Sequence, residues 1–304
     1  MKISTSFLFD RATERMSTIQ NKLATTQAQL AVSKQILSPS DAPDQAAAIQ
    51  RLKGELQRQE SHGRTLEVAM RRYTSEETAL SASNDVLIRM KELGLQAAND
   101  TLAPDDRKSI GVEMKALRDQ LLSLGNTRDD SGNYLFSGTR VNTPAFAEDN
   151  NGHVQYQGDQ TQTRIPAGVE RTVQFTRAGT DVYSRVVREN GQSVGFFDAL
   201  DQMITAIDES TTAEIQQGVS DLTQMHNNLT LSQAQNGSDQ IVVQSQLDVL
   251  DETALRLKST LSEIEDLDYA EAVTRMNKEM MALEAAMGSF AKISSLSLFD
   301  YIQR

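Results

Sequence analysis

Residues 241–264 read IVVQSQLDVLDETALRLKSTLSEI. Within them Val243, Leu247, Leu250, Ala254, Leu257, Leu261 and Ile264 are spaced four and three apart in turn. At 3.6 residues per turn this alternation keeps one narrow apolar stripe along a helix, the pattern of coiled-coil packing. A lone helix with such a stripe is marginal in water. The segment therefore needs a partner helix, and the rest of the chain offers several.

Toward the C-terminus the pattern repeats in Val273, Met276, Met280, Leu283, Met287 and Phe290. At the other end Phe9, Met16, Leu23, Leu30 and Leu37 recur every seven residues, with Thr26 and Ser33 as weaker intermediate positions. Leu66, Tyr73, Leu80 and Leu87 form another such row. Ile110, Met114, Leu117, Leu121 and Leu124 form a shorter one, opened by Pro104 with Asp105 and Asp106 in its first turn. Seams at both extremes suggest that the two ends pair with each other and then with neighbours. A monomeric bundle closed by its own termini satisfies the heptads equally well.

Breakers divide these helices. Ser38-Pro39-Ser40-Asp41-Ala42-Pro43-Asp44 is a polar interruption in which Pro39 and Pro43 lack donors and Ser40 or Asp41 can cap the next helix. Residues 44 to about 100 contain no proline; as one helix they span on the order of 85 Å. Asn236-Gly237-Ser238-Asp239 reads as a turn between two helices.

The middle of the chain differs in kind. Eight of the 16 glycines and six of the 15 aromatics fall between residues 127 and 195, whereas residues 10–133 hold only Tyr73 as an aromatic. Asn150-Asn151-Gly152 is a hairpin signal leading into alternating His153-Val154-Gln155-Tyr156. Tyr134–Phe136, Thr163–Ile165, Thr172–Phe175 and Asp181–Tyr183 read as further short strands. The expected fold is mainly α with an inserted β domain: a long antiparallel helical rod or coiled coil built from both chain ends, and a small antiparallel β-rich tip. The expected parts are 1–40 as an N-terminal assembly helix, 41–137 with 196–265 as the helical rod, 138–195 as the β insert and 266–304 as the C-terminal assembly helix.

Composition excludes several kinds of chemistry. With no cysteine there is no disulfide framework, thiolate zinc site, iron–sulfur cluster or cysteine nucleophile. His62, His153 and His226 lie far apart and lack metalloprotease spacing. Forty-two acidic residues against 30 basic ones argue against nucleic acid, which needs a basic stripe. No apolar run reaches membrane-spanning length, so no membrane insertion is expected, and the N-terminus lacks the apolar core of a cleaved signal. Asp129-Asp130 and Glu76-Glu77 are adjacent carboxylates, and adjacent residues do not face each other on a helix. Phosphate-binding and nucleophile-elbow motifs are missing. The chain is expected to be no enzyme, with no cofactor and no metal.

Met1–Ala12 (MKISTSFLFDRA), Ser33–Pro43 (SKQILSPSDAP), Tyr134–Gly138 (YLFSG), Tyr269–Thr274 (YAEAVT) and Ser294–Ile302 (SSLSLFDYI) together resemble the flagellin-like hook–filament junction proteins of bacterial flagella. The family often has Gly where Ser33 stands and Asp where Ala42 stands. The ending resembles the junction branch more closely than filament flagellin. The resemblance implies a structural role: a ring of subunits joining the hook, through another hook-associated protein, to the flagellin filament. It implies export without a cleaved signal to the extracellular flagellum, and a cytoplasmic export chaperone at the C-terminal helix. The assembly interface is then expected at Phe7, Phe9, Met16, Leu23, Leu30, Val273, Met276, Met280, Leu283, Met287, Phe290, Leu296, Leu298, Phe299 and Tyr301, with the helix interruption at Pro39, Asp41 and Pro43. The alternatives are filament flagellin itself and a non-flagellar coiled-coil adaptor.

Overall fold

A computed structural model describes residues 2–168 and 171–302, with side chains at residue 7 and over 9–168 and 171–292. In chain order the elements are α1 (Lys2–Val32), α2 (Pro43–Ala97), α3 (Pro104–Gly125), β1 (Phe146–Glu148), β2 (Val154–Tyr156), β3 (Arg164–Pro166), β4 (Thr172–Gln174), α4 (Gly179–Val182), β5 (Val186–Val187), β6 (Ser193–Val194), α5 (Phe196–Glu209), α6 (Thr212–Glu265) and α7 (Tyr269–Ile302). They pack as two units: residues up to 60 with those from 252, and residues 61–251.

In the 61–251 unit the heptad rows point inward as expected. Leu66, Tyr73, Leu80 and Leu87 are almost completely buried, as are Met114 and Leu121 of α3. The α5 helix opens at Gly195 and turns Phe196, Phe197, Leu200, Met203 and Ile207 into the core formed by Leu80, Leu87, Met114 and Leu121. Burying each such side chain is worth about 1.5–3 kcal/mol, which is what holds helices that are individually marginal. Gly94 and Gly218 admit Met203 between α2 and α6: a Cβ at either would lie 2.3 or 2.5 Å from its side chain.

The β segment is three separate antiparallel ribbons, not one sheet. Phe146 pairs with Tyr156, Arg164 with Gln174, and Val186 with Val194. Two-stranded ribbons do not stand alone in water. Each is anchored by a side chain that closes an exposed edge. Asn126 bonds both the N–H and the C=O of Phe146, at 2.9 and 2.8 Å. The Tyr73 hydroxyl donates to the Gln174 carbonyl at 2.7 Å, and the Gln224 amide oxygen accepts from the Val187 N–H at 3.1 Å. Phe136, Phe146, Tyr183, Phe196 and Phe197 interlock with ring centroids 5.2–6.1 Å apart, within the range of favourable offset and edge-on pairs.

Four sequence expectations need correction. Asp181–Tyr183 is not a strand: Gly179–Val182 forms one helical turn, because Val182 and Tyr183 are both drawn into the core, which alternation forbids. Tyr134–Phe136 is not a strand either: within it Tyr134 alone makes an isolated bridge, to Arg128. Leu135 and Phe136 are consecutive and both fully buried. Asn236-Gly237 does not break a helix, since α6 runs through it. Asn236 is buried and donates to the Tyr73 carbonyl at 2.9 Å, and such tertiary bonds offset the roughly 1 kcal/mol cost of helical glycine. Finally, Asp41 does not cap α2: its carboxylate accepts backwards from the N–H groups of Ser38 (2.8 Å) and Leu37 (3.2 Å). The Ser38 bonds hold that carboxyl below the usual range. Pro43 starts α2 as a first-turn proline should.

Candidate assembly interface

In the other unit α1 and α7 pack antiparallel. The Phe9 ring packs tilted against that of Phe290, with centroids 4.6 Å apart. The Arg275 guanidinium donates to Gln29 Oε1 at 3.2 Å, and the Tyr269 hydroxyl to the Leu30 carbonyl at 3.1 Å.

The inward stripes are heptads on both sides. On α1 they are Ala12, Met16, Ile19, Leu23, Thr26 and Leu30; on α7, Ala272, Met276, Glu279, Leu283, Ala286 and Phe290. Both sets step by four, three, four, three and four residues. Thr26 and Ala272 are buried, at 3% and 0% exposed, and the others are half-buried. One neighbour covers each stripe only partly. Among the described side chains, Glu279 finds no hydrogen-bond partner for a covered carboxylate oxygen, Oε2.

Beside this seam α7 carries a second apolar row. Val273, Met280 and Met287 are exposed and spaced by seven, with Met281 and Tyr269 exposed nearby. Phe7 is more than half exposed. The structure thus sorts the residues singled out in the sequence into two faces. Met16, Leu23, Leu30, Met276, Leu283 and Phe290 line the internal seam, whereas Val273, Met280 and Met287 point away from it. Phe9 does both, touching Phe290 while 42% exposed. Leu296, Leu298, Phe299 and Tyr301 lie on helical backbone, but their side chains are outside the described ones. Ala12, Ile19, Ala272 and Ala286 were not singled out in the sequence. Only the four–three spacing could have found the alanines, because methyl groups carry little weight in an apolar pattern.

The joint between α1, α2, α6 and α7 is polar. Ser33 ends α1 in the left-handed region at φ 58°, which explains why glycine suits this position. Its hydroxyl lies 2.6 Å from that of Tyr269. Its carbonyl accepts from the Leu267 N–H at 3.2 Å, and the Gln35 N–H donates to the Glu265 carbonyl at 2.9 Å. Glu265 takes ion pairs from Lys34 (2.5 Å) and Lys53 (2.9 Å). The Lys34 bond first, helped by Lys53, holds its carboxyl below the usual glutamate range. Left-handed backbone costs a non-glycine residue roughly 1–2 kcal/mol, and a hydroxyl hydrogen bond returns about 1. Ser33→Gly should therefore leave stability within about 0.5 kcal/mol. Ser33→Ala keeps the strain without the bond and should lose about 1 kcal/mol, and Ser33→Val should be the worst, because β-branching resists positive φ. Thermal unfolding of the four proteins followed by circular dichroism checks this order; a Val variant as stable as the parent would refute it.

Among the described residues no group of side chains could hold a metal ion, and no helix is long and apolar enough to cross a membrane.

The pattern of the bacterial flagellin N-terminal helical region matches residues 3–141, and that of the flagellin C-terminal helical region matches residues 219–302. The flagellar hook-associated protein 3 of Escherichia coli aligns at 24% identity over 99% of both chains. The chain belongs to the flagellin-like family of flagellar hook-associated proteins. Polar flagellin A of Vibrio parahaemolyticus, also 24% identical, aligns over 71% of the chain and 76% of its own length. In fold, the chain is similar to the Xanthomonas campestris FlgL crystal structure, with TM-score 0.60, 21% identity, and coverage of 70% of this chain and 99% of that one. The flagellar junction protein FlgL from Legionella pneumophila is also similar, with TM-score 0.52, 18% identity, and coverage of 67% and 99%. The α1–α7 pair falls inside the two matched terminal regions, and the three ribbons lie mostly between them. As a member of this family the chain is a structural component of the bacterial flagellum.

Proposed function

We propose that this chain is the subunit of the junction ring between the flagellar hook and the flagellin filament, and that it does no chemistry. The single observation that carries the reading is the incomplete terminal seam. Two antiparallel helices half-bury their own heptads and leave a second apolar row, Val273–Met280–Met287, facing outward. An isolated helix pair gains nothing from that row, whereas a ring of copies buries it. The hook-associated relatives, aligned end to end, favour the junction over the filament, since the flagellin matches only in part.

On this reading the partners are further copies of the chain, another hook-associated protein on the hook side and flagellin on the filament side. A cytoplasmic chaperone covers the C-terminal helix before export, and the chain leaves the cell unfolded without a cleaved signal. Zero cysteine suits a chain that is threaded outward unfolded. Residues 1–40 and 266–304 serve assembly, 41–137 with 196–265 carry the helical scaffold, and 138–195 are the inserted β-rich part. The interface residues are those singled out above, from Phe7 to Phe290 together with Leu296, Leu298, Phe299 and Tyr301. Pro39, Asp41 and Pro43 hold the break after α1.

Deletion of the gene tests this. The expected result is intact hooks without filaments, and flagellin shed as monomer into the medium, both reversed by restoring the gene. Filaments retained on the deleted cells would exclude the junction role. Loss of flagellin altogether would point to the filament itself.

A further inference from the structure

Among the described residues of 61–251 there are two apolar cores, not one. The larger joins Leu80, Leu87 and Met90 of α2 to Leu222, Met225 and Leu229 of α6, together with the aromatic cluster. The smaller joins Leu66, Ala69 and Tyr73 of α2 to Val243 and Leu250 of α6 and to Val173 of β4. Between the cores lies a polar, charged layer: Glu76 of α2 and Asp239 of α6 fall in the gaps, and Arg72 stands one residue before Tyr73 at the edge of the smaller core. Arg72 and Glu76 of α2, Arg177 after β4 and Asp239 of α6 are each under a tenth exposed.

The layer is balanced but poorly bonded. Glu76 sits between two guanidinium groups, with Arg177 Nε 3.3 Å from Oε2 and Arg72 Nε 3.4 Å from Oε1. Arg177 Nη2 is 3.4 Å from Asp239 Oδ2. Arg72 also donates to the Leu135 carbonyl at 2.7 Å and reaches Asp129 at 3.4 Å. On α6, Gln235 donates to Asp239 and Gln240 to Glu77. Arg164 of β3 adds its field at Asp239. Among the described residues, Arg72 Nε, Glu76 Oε1 and Asn236 Oδ1 find no hydrogen-bond partner although all three are buried. Burial pushes the Glu76 and Asp239 carboxyls up, against the pull of Arg177 on both.

Apolar packing is what couples neighbouring parts of a protein into one cooperative unit. Here it stops at a layer whose charges are withheld from water and only loosely paired. Opening on the small-core side rehydrates those groups, so the boundary resists less than the interior of either core. The β3–β4 ribbon is tied to α2 by few polar bonds, among them Tyr73 to Gln174 and a 3.0 Å contact between His62 Nε2 and the Pro166 carbonyl.

We infer that the Arg72–Glu76–Arg177–Asp239 layer is a built-in break in cooperativity, across which the smaller core with its β3–β4 ribbon opens and recloses while the larger core stays packed. The inference rests on the 61–251 unit alone and does not need the flagellar reading.

Native-state hydrogen exchange of the full chain, read by mass spectrometry across low urea concentrations, tests it. Amides of 64–73, 164–168, 171–175 and 243–250 should share one opening with a weak urea dependence. Those of 80–93, 199–207 and 222–229 should share another with a steeper one. Val173→Ala should speed exchange in the first group about tenfold and leave the second unchanged. Joint replacement by Arg72→Met, Glu76→Leu, Arg177→Met and Asp239→Leu should merge the two openings into one. A single opening in the parent protein, equal acceleration of both groups by Val173→Ala, or two separate openings persisting in the folded quadruple variant would each overturn the inference. If the quadruple variant fails to fold, the parent and Val173→Ala measurements decide.

Discussion

Cells whose only copy of this chain carries Met280→Asp with Leu283→Asp should make hooks but hold no filaments, while the purified variant keeps the parent's 61–251 unit. Met280 is 42% exposed and lies on the outward row; Leu283 is half-buried in the seam against α1. The two substitutions therefore strike both faces of one helix. Met280→Asp costs the free chain little, since the carboxylate stays in water. In an assembly that covers the row, it becomes a buried charge without a partner, at a cost of several kcal/mol per subunit contact. Leu283→Asp weakens the pairing of α1 with α7 directly. Hydrogen exchange in residues 80–93 and 199–207 should match the parent, which separates failed assembly from global unfolding. Met280→Leu, which keeps volume and apolarity, should assemble normally. Filaments on cells carrying the double variant would show that this face is not covered in the flagellum.

Phe146→Ala should destabilise the 61–251 unit by about 3–5 kcal/mol and lower its thermal midpoint by roughly 6–20 °C. Phe146 is 6% exposed. Its ring lies 5.2–5.5 Å from those of Tyr156, Tyr183 and Phe197. Its backbone is also the edge that Asn126 closes. The site cannot collapse easily, because the chain around it is already tight: a Cβ at Gly179 would sit 2.8 Å from the Phe146 ring. The truncation therefore leaves a cavity. Near-ultraviolet dichroism should follow the loss, since Tyr183 and Tyr156 report on the same cluster. A change under about 1 kcal/mol would mean that the ribbons stand on their own bonds and not on the shared aromatic core, contrary to what is expected of two-stranded ribbons.

Much of the helical framework could be read in the sequence, because heptads state which face of a helix is covered without reference to what covers it. Leu66, Tyr73, Leu80 and Leu87 show this, and so does the helix start at Pro104. The hairpin at Asn150–Gly152 was equally legible, since its turn chemistry is local. Reading failed where a long-range contact outweighed a local preference. Asn236-Gly237 stays helical because Asn236 bonds across to α2. Asp181–Tyr183 coils because Val182 and Tyr183 both enter the aromatic core. The candidate interface was half legible. Its residues were singled out, but not their division between a seam facing α1 and a row facing away, because 273, 276, 280, 283 and 287 lie within one broad apolar arc in a sequence plot.

By itself, then, the sequence determined that this protein is built from apolar-striped helices around a glycine-rich, aromatic middle, and that both of its ends carry apolar seams. Those properties come from spacing and composition, which act over one or two helical turns. Only the tertiary structure decided that the middle forms three edge-closed ribbons, that a charged layer parts two cores, and that Val273, Met280 and Met287 are the ones left outward. Each of these depends on which residues, distant in sequence, meet and exclude water.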